Sequence, residues 1–208
     1  MSKEKVTVLG LSCSPRKGGN TELLLDGALQ GASEAGATVE KVVVSELDIN
    51  PCHACEACFD TGVCIQPDDM QVLYPKLLNR EAIILAAPIF FMNLAAQAKA
   101  LIDRLQCLWA KKFILKEHAV EESVREYRRG LWLSAAGSDK PEVFDYALPT
   151  VRAFFDLLEI KDWRRLTYRD IDEKGKVLNV PGGLESAVEM GTWLAHGERS
   201  GTHERDDF

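Results

Sequence analysis

A dense group of hydrogen-bond donors follows the first apolar run of the chain. The segment Ser12-Cys13-Ser14-Pro15-Arg16-Lys17-Gly18-Gly19-Asn20-Thr21 combines hydroxyls, an amide, a guanidinium group and two glycines. Hydroxyls and amides can donate to phosphate oxygens, and a planar arginine cation suits a phosphate dianion. Glycines let the backbone approach an anion closely, and the unpaired N–H groups at a helix N-terminus favour negative charge. The spacing is neither a Walker A loop nor GxGxxG. We therefore expect a phosphate site here rather than a generic strand–helix turn with a capping residue.

Four cysteines with a compact spacing form a second chemical motif. They follow the pattern C-x2-C-x2-C-x5-C, and they are Cys52, Cys55, Cys58 and Cys64. Four thiolates are the usual ligand set of a [4Fe–4S] cluster, whereas structural zinc prefers two Cys-x2-Cys pairs that lie farther apart. Thiols that bind nothing are the main alternative, because cysteine is also a common small buried side chain. Zinc or a disulfide is a lesser alternative, and His53 is not expected to be a ligand.

Strand-length apolar runs alternate with helical patterns along the chain. We predict strands over residues 5–11, 38–44, 82–87, 130–135 and 162–168. We predict helices over residues 20–36, 68–79, 94–108, 142–158 and 181–196. This alternation indicates a three-layer, doubly wound α/β fold, and five strands favour the flavodoxin-like parallel order 2-1-3-4-5 over the six-stranded dinucleotide fold. Ligands of such sheets bind at the carboxyl ends of the strands, which is where the donor-rich segment lies.

Composition limits the class of protein further. The 208 residues fit one domain, predicted over 1–196, with a cysteine-rich loop at 46–67, a charged excursion at 111–129 and a polar tail at 197–208. The excursion is expected to be solvated, although a helix extension, a lid or a subunit contact are alternatives.

The net charge of −7 and the absence of a basic stripe argue against nucleic-acid binding. No apolar run approaches the length needed to span a bilayer, and no signal-peptide pattern is visible. We therefore expect a cytoplasmic protein with no membrane partner, in which the six cysteines are ligands, redox centres or buried thiols. Cys13 and Cys107 lie outside the cluster spacing, and Cys13 is expected to be a small buried side chain.

Three stretches resemble the NAD(P)H-dependent FMN reductases of the flavodoxin-like superfamily. The first is GLSCSPRKGGNTELLLDGAL, and the second is APIFFMN at residues 87–93 with QAKALIDR at 97–104. The third, LWLSAAGSD, covers residues 131–139. The cysteine spacing is similar to that of the archaeal-type iron–sulfur flavoproteins, although many flavin reductases have a similar loop without a proven cluster. Ala87 and Phe90 stand where the family usually has Ser and Tyr, so a hydroxyl contact made there is missing.

The resemblance implies that three loops hold FMN. The residues expected to hold the phosphate end are Ser12, Ser14, Pro15, Arg16, Gly18, Asn20 and Thr21. Those expected around the isoalloxazine ring are Pro88, Ile89, Phe90, Phe91 and Asn93, with Ala135, Ala136 and Gly137 on its other side. No catalytic side chain is expected, because the flavin supplies the chemistry. Asp103 and Arg104 are expected to form a structural ion pair at a helix end.

Three functions remain open on this basis. The leading one is a redox flavoprotein in which a [4Fe–4S] cluster relays electrons between FMN and a carrier such as ferredoxin. The second is a cluster-free NAD(P)H-dependent FMN or quinone reductase, with NAD(P)H as a transient substrate. The third is a non-enzymatic binding module on the same fold. The resemblance also implies a homodimer or homotetramer.

Overall fold

The computed structural model describes residues 5–196. The predicted polar tail at 197–208 lies outside these residues. No helix among residues 5–196 is both long and apolar enough to cross a membrane.

A parallel sheet forms the centre of the molecule. The strands are β1 (Thr7–Ser12), β2 (Thr38–Val43), β3 (Ala82–Ala86), β4 (Ile89–Phe90), β5 (Asn93–Leu94), β6 (Arg129–Ala135) and β7 (Asp162–Tyr168). In the described residues the main sheet has five strands in the order β2-β1-β3-β6-β7, all parallel. Because the antiparallel hairpin β4–β5 stands outside this sheet, the predicted order 2-1-3-4-5 is confirmed. Ser12 pairs with both Val43 and Ala86, which brings the carboxyl ends of the three strands to one edge.

Helices cover both faces of the sheet. They are α1 (Asn20–Glu34), α2 (Met70–Asn79), α3 (Ala96–Asp103), α4 (Gln106–Trp109), α5 (Glu122–Arg125), α6 (Leu148–Leu157) and α7 (Gly183–Ala195). A π-helical turn at Ala110–Ile114 continues α4, and short 3-10 turns lie at Val44–Glu46, Pro141–Phe144 and Lys176–Asn179.

Side-chain alternation along the strands divides the core in two. Leu9 and Leu11 of β1 face one core, which α2, α3 and α6 cover, while Val8 faces the other, which α1 and α7 cover. The two helices of the second core approach each other closely. A Cβ added at Gly31 would lie only 2.0 Å from the carbonyl oxygen of Val188, so this helix contact requires glycine.

The structure corrects two predicted helices. The helix predicted over 94–108 begins at Ala96, is interrupted after Asp103, and then continues through Ile114. The first part of the 111–129 segment is therefore a helix extension, one of the alternatives considered, and not a plain solvated excursion. The helix predicted over 142–158 divides into a 3-10 turn and α6. Pro149, the second residue of α6, favours a helix start at this point because it lacks an N–H group.

Candidate functional site

Residues 12–21 run from the end of β1 to the start of α1, and we refer to them as the phosphate turn after the ligand predicted for them. The backbone N–H of Arg16 donates to Ser14 Oγ at 3.1 Å, and the N–H of Gly19 donates to the Arg16 carbonyl at 3.1 Å. A Cβ at Gly19 would lie 2.9 Å from that same carbonyl oxygen, so the turn closes tightly only with glycine. Helix α1 begins at the next residue, and its first N–H groups have no partner within the helix.

An open cleft of about 50 Å³ lies against this turn. Its lining residues are Ser14, Arg16, Gly19, Asn20, Thr21, Pro88, Phe90, Ala135, Ile171 and Asp172. The structure thus brings together residues from all three loops that the resemblance assigns to FMN. Ser12, which is buried, along with Pro15 and Gly18, belongs to the same turn but does not line this cleft in the described part of the chain.

Asn20 has a structural role that the sequence did not reveal. Its Nδ2 donates to the carbonyl oxygens of Ile171 at 2.8 Å and Glu173 at 2.9 Å. Its Oδ1 accepts the N–H of Val177 at 3.2 Å. Both amide donors therefore hold the segment 171–177 against the phosphate turn. The side chain is not free to donate to a phosphate, although the sequence predicted that role for it.

Two cationic side chains lie beside the turn. Arg16 is exposed, and its Nη1 donates to the carbonyl oxygen of Asp172 at 2.9 Å. Lys174 lies close to Gly18, because a Cβ added there would lie 3.1 Å from Lys174 Cε and 3.4 Å from its Nζ. Sequence reasoning missed Lys174, together with Ile171 and Asp172. The signal that points to them is their position after β7, since ligands bind beyond the carboxyl ends of parallel strands.

A second cavity of about 200 Å³ is lined by mainly apolar groups. Its residues are Ile89, Phe91, Met92, Ala136, Gly137, Ser138 and Val143. The β4–β5 hairpin contributes to both cavities, and Ala135 at the end of β6 lines the smaller one while the next residue, Ala136, lines the larger, so the two lie side by side. The predicted ring residue Asn93 lines neither cavity in the described chain, and its Oδ1 accepts the N–H of Leu94 at 2.8 Å.

The tip of the hairpin adopts an unusual backbone conformation. Phe91 and Met92 have φ values of 48° and 65°, in the left-handed region that non-glycine residues rarely adopt. The Phe91 side chain is fully exposed, with a relative exposure of 104%. The hairpin therefore presents an aromatic ring to solvent beside the larger cavity.

Cys13 lies in the phosphate turn but is not a reactive thiol. It is fully buried, and burial raises its pKa to about 12. Since the thiolate is the nucleophilic form, this side chain is inert at neutral pH. The prediction that Cys13 is a small buried side chain is confirmed.

The cysteine loop, residues 46–67, carries the four predicted cluster ligands as free thiols. Cys55 is exposed, Cys58 is buried, and Cys52 and Cys64 are half-buried. Burial raises the pKa of Cys58, and the charges of Cys107, Cys64 and Cys52 raise it further. Within residues 5–196, however, no three His, Cys, Asp or Glu side chains are arranged to hold a metal ion. The donor set fits a four-thiolate cluster chemically, although the described geometry does not bring the thiols to a common point.

The prediction that Asp103 and Arg104 form an ion pair with each other is wrong. Asp103 instead accepts from Lys99 at 2.6 Å, one helical turn earlier on the exposed side of α3. Arg104 is fully buried and forms a two-pronged ion pair with Asp68. Two adjacent residues at a helix end point in directions about 100° apart, so one can face solvent while the other faces the core.

The Arg104–Asp68 pair changes the ionisation of the groups around it. Burial raises the pKa of Asp68, but hydrogen bonds from Arg104 and from two backbone N–H groups outweigh this effect, so the pKa lies below its usual value. Burial also raises the pKa of Cys64, yet hydrogen bonds from the Gln66 backbone and from Arg104 lower it overall. The pKa values of Cys64 and Cys58 are thus shifted in opposite directions within one loop.

Comparison with known proteins agrees with this arrangement. The family profile described as NADPH-dependent FMN reductase matches residues 6–140. An iron-sulfur flavoprotein of Methanosarcina thermophila is 43% identical over 52% of this chain, and the alignment spans 57% of that relative, less than two thirds of its length. An iron-sulfur flavoprotein of Methanocaldococcus jannaschii is 32% identical over 74% of this chain and 72% of its own length.

The solved structures support the fold. An NAD(P)H:quinone oxidoreductase from Methanothermobacter marburgensis superposes with a TM-score of 0.70 at 15% identity, covering 94% of this chain and 100% of that one. The family profile spans well over half of the chain and includes both the phosphate turn and the β4–β5 hairpin. The chain therefore belongs to the NADPH-dependent FMN reductase family.

Proposed function

We propose that this protein is an FMN-dependent oxidoreductase whose flavin lies along the carboxyl edge of the sheet. The observation that carries the proposal is the pair of adjoining cavities at that edge. One is lined by hydroxyls, a guanidinium group and a helix N-terminus, and the other by mainly apolar groups. A phosphate requires the first kind of surface, and a flat aromatic ring requires the second.

The protein's own residues would bind and orient the cofactor. Ser14, Thr21 and the first turn of α1 would donate to the phosphate, and Arg16 would neutralise its charge. The hairpin residues Phe90 and Phe91 would cover the ring and exclude water from it. Bound FMN would supply the redox chemistry, since a flavin can accept a hydride and release its electrons one at a time. NAD(P)H would then reach the flavin from its open face.

A comparison of FMN with riboflavin tests the phosphate turn directly. Riboflavin lacks the phosphate, so wild-type protein should bind FMN more tightly. Arg16→Ala removes a charge-assisted hydrogen bond of roughly 1.5–3 kcal/mol, which corresponds to about a ten- to hundredfold weaker FMN affinity. Riboflavin affinity should change little. The measurement is fluorescence titration of the flavin-free protein with each ligand.

Lys17→Ala is the matched control for this titration. Lys17 lies next to Arg16, but its side chain is exposed and forms an ion pair with Glu46 at 2.6 Å. We expect its removal to leave the preference for FMN over riboflavin nearly intact. An Arg16→Ala protein that keeps the wild-type preference would contradict the assignment of the turn.

We propose further that the cysteine loop holds a [4Fe–4S] cluster that relays electrons to or from a carrier such as ferredoxin. The spacing of the four cysteines and the naming of the relatives as iron-sulfur flavoproteins support it. Cys55→Ser should abolish iron content while sparing FMN. Anaerobic purification followed by an iron assay and a visible spectrum checks this, with about four irons expected per wild-type chain. Cys13→Ser, which changes a thiol outside the loop, should retain its iron.

A cluster-free NAD(P)H-dependent flavin or quinone reductase is the second candidate. The observation that favours it is that the loop thiols do not converge on one point in the described structure. Wild-type protein that contains FMN but no iron after anaerobic purification would select this candidate. For either function, we propose that the protein forms a homodimer or homotetramer. Analytical sedimentation of the FMN-loaded protein would measure this oligomeric state.

A further inference from the structure

Arg104 is a fully buried cation at the end of α3, far from the phosphate turn in sequence. Removing a guanidinium group from water is costly unless its charge is paired and its N–H groups are satisfied. Asp68 provides the charge, with one carboxylate oxygen on each terminal nitrogen of Arg104. Such a two-pronged pair fixes the orientation of the guanidinium plane. The remaining contacts of Arg104 therefore point in defined directions.

These contacts join the two ends of the cysteine loop. Arg104 Nη1 donates to the carbonyl oxygen of Asn50 at 2.8 Å, near the start of the loop. Asp68, directly after the loop, accepts the N–H of Asn50 at 3.0 Å and the N–H of Met70 at 3.1 Å. Arg104 and Asp68 thus connect the start and the end of the loop, because Arg104 binds the carbonyl group of Asn50 and Asp68 binds its N–H group.

The same guanidinium group also contacts a predicted cluster ligand. Its Nη2 lies 3.4 Å from Cys64 Sγ, within the range of an N–H···S hydrogen bond. The hydroxyl of Tyr74 donates to the Arg104 carbonyl at 2.7 Å and fixes the backbone from which the side chain extends. The Nε–H of Arg104 is buried and has no hydrogen-bond partner within the described residues. Buried polar groups are normally hydrogen-bonded, so this unused donor needs an explanation, and an acceptor bound at the site would provide one.

We propose that Arg104 is a positioning residue for the metal site: it closes the cysteine loop and fixes Cys64 for cluster binding. This inference rests on the proposed four-thiolate cluster. Hydrogen bonds to the sulfurs of an iron–sulfur cluster tune its reduction potential, because they stabilise the more negative, reduced form. Arg104 would therefore raise the potential of the cluster as well as hold the loop.

Two substitutions separate loop closure from an effect on the cluster. Arg104→Ala removes every contact and should release the loop, with at least tenfold faster cleavage by a glutamate-specific protease at the exposed Glu56 and loss of most of the iron. Arg104→Lys retains a cation beside Asp68 but loses the planar fork of donors. This variant should retain iron, while its midpoint potential, measured by anaerobic spectroelectrochemistry, shifts to a more negative value.

Arg128→Lys is the matched control. Arg128 is also buried, and its donors bind the carbonyl oxygens of Leu77, Arg80 and Leu158, away from the cysteine loop. Its replacement should leave loop cleavage, iron content and midpoint potential at wild-type values. A shift that is equal in Arg128→Lys and Arg104→Lys would indicate general loosening and overturn the proposal.

The remaining outcomes also decide between the proposals. Wild-type cleavage rate, iron content and potential in both Arg104 variants would overturn the role of Arg104. If wild-type protein binds no iron, the proposed cluster fails, and with it the metal-site role of Arg104. The cleavage rates of the metal-free proteins would still show whether Arg104 closes the loop. If Arg104→Ala does not fold, as shown by loss of FMN binding, the potential and the cleavage rate of Arg104→Lys decide.

Discussion

The phosphate turn and the cysteine loop follow neighbouring strands, yet they are held in different ways. The turn is short, and Asn20 fixes it with three hydrogen bonds to a distant segment. The loop is longer, exposes Cys55, and places Ala54 and Glu56 in the left-handed region, with φ of 52° and 61°. Each such non-glycine residue costs roughly 1–2 kcal/mol. The turn is thus fixed by contacts with a distant part of the chain, whereas the loop contains backbone conformations that cost free energy.

The two proposed cofactor sites would therefore be built in different ways. A phosphate site formed from backbone N–H groups and a helix N-terminus is complete once the strand and the helix are in place. A thiolate site gathers like charges, and metal binding commonly supplies the free energy that draws its ligands together. We expect substitutions at the loop to affect stability through a single buried ion pair, and substitutions at the turn to affect it through distributed hydrogen bonds.

Asp68→Asn should have the largest effect, because it leaves the buried Arg104 without a counter-charge. Breaking a buried ion pair by removing one partner costs roughly 3–5 kcal/mol. Urea denaturation of the wild-type and variant proteins measures the loss. Asp103→Asn is the control, since Asp103 pairs with Lys99 in an exposed position, where the pair is worth about 0–1 kcal/mol. Equal losses in the two variants would contradict the special role of the buried pair.

The same variant carries a pH signature. The pKa of Asp68 is lower in the folded protein than in the unfolded chain, because the hydrogen bonds from Arg104 and the backbone outweigh the effect of burial. Its contribution to stability is present above the unfolded pKa of about 3.9 and is lost as the pH falls through the folded value. In Asp68→Asn this acid-dependent loss should be smaller than in wild-type protein. Denaturation midpoints measured from about pH 6 down to about pH 3, a range that includes the unfolded pKa, check the difference.

Asn20→Ala should reduce the unfolding free energy by an intermediate amount, and it tests the phosphate turn as Asp68→Asn tests the cysteine loop. It deprives two carbonyl groups and one N–H of their partner, and a buried polar group left unsatisfied costs about 1–3 kcal/mol. Ile171 and Asp172, at the start of this segment, line the smaller cleft, so FMN affinity should fall as well. Asn179→Ala, at an exposed site in the following 3-10 turn, should change the unfolding free energy by less than about 0.5 kcal/mol. Unchanged urea midpoints in Asn20→Ala would show that its hydrogen bonds do not hold the segment.

The sequence predicted the sheet because its strands are strongly marked. β3 is apolar throughout, as expected for a central strand with helices on both faces, and the spacing of helices between strands required parallel crossovers. The position of the phosphate turn followed from the rule that ligands bind at the carboxyl ends of strands. Both predictions depend on patterns within one element or between adjacent elements.

The interactions that were missed or misassigned join residues distant in the chain. Asn20 binds carbonyl groups more than 150 positions away, and Arg104 pairs with a carboxylate 36 positions before it. Neither partner can be identified from local spacing, because many polar residues are available at such distances. The β4–β5 hairpin was missed for a different reason. Its two-residue strands are too short to show alternation, and its turn lacks the Gly or Asn that usually marks left-handed positions.

Phe91→Ala should have the smallest effect on stability and a clear effect on the flavin. Phe91 is fully exposed, so its truncation should change the unfolding free energy by less than about 0.5 kcal/mol. Contact between its ring and a flavin would contribute roughly 0.5–1.5 kcal/mol, equivalent to about a two- to tenfold change in FMN Kd. Leu178→Ala, which removes an exposed apolar side chain outside both cavities, should change neither quantity. A loss of FMN affinity without a loss of stability would show that an aromatic residue is kept in this left-handed turn for its ligand. A Phe91→Ala protein with wild-type FMN affinity would remove the hairpin tip from the flavin site and leave its conformation without a functional reason.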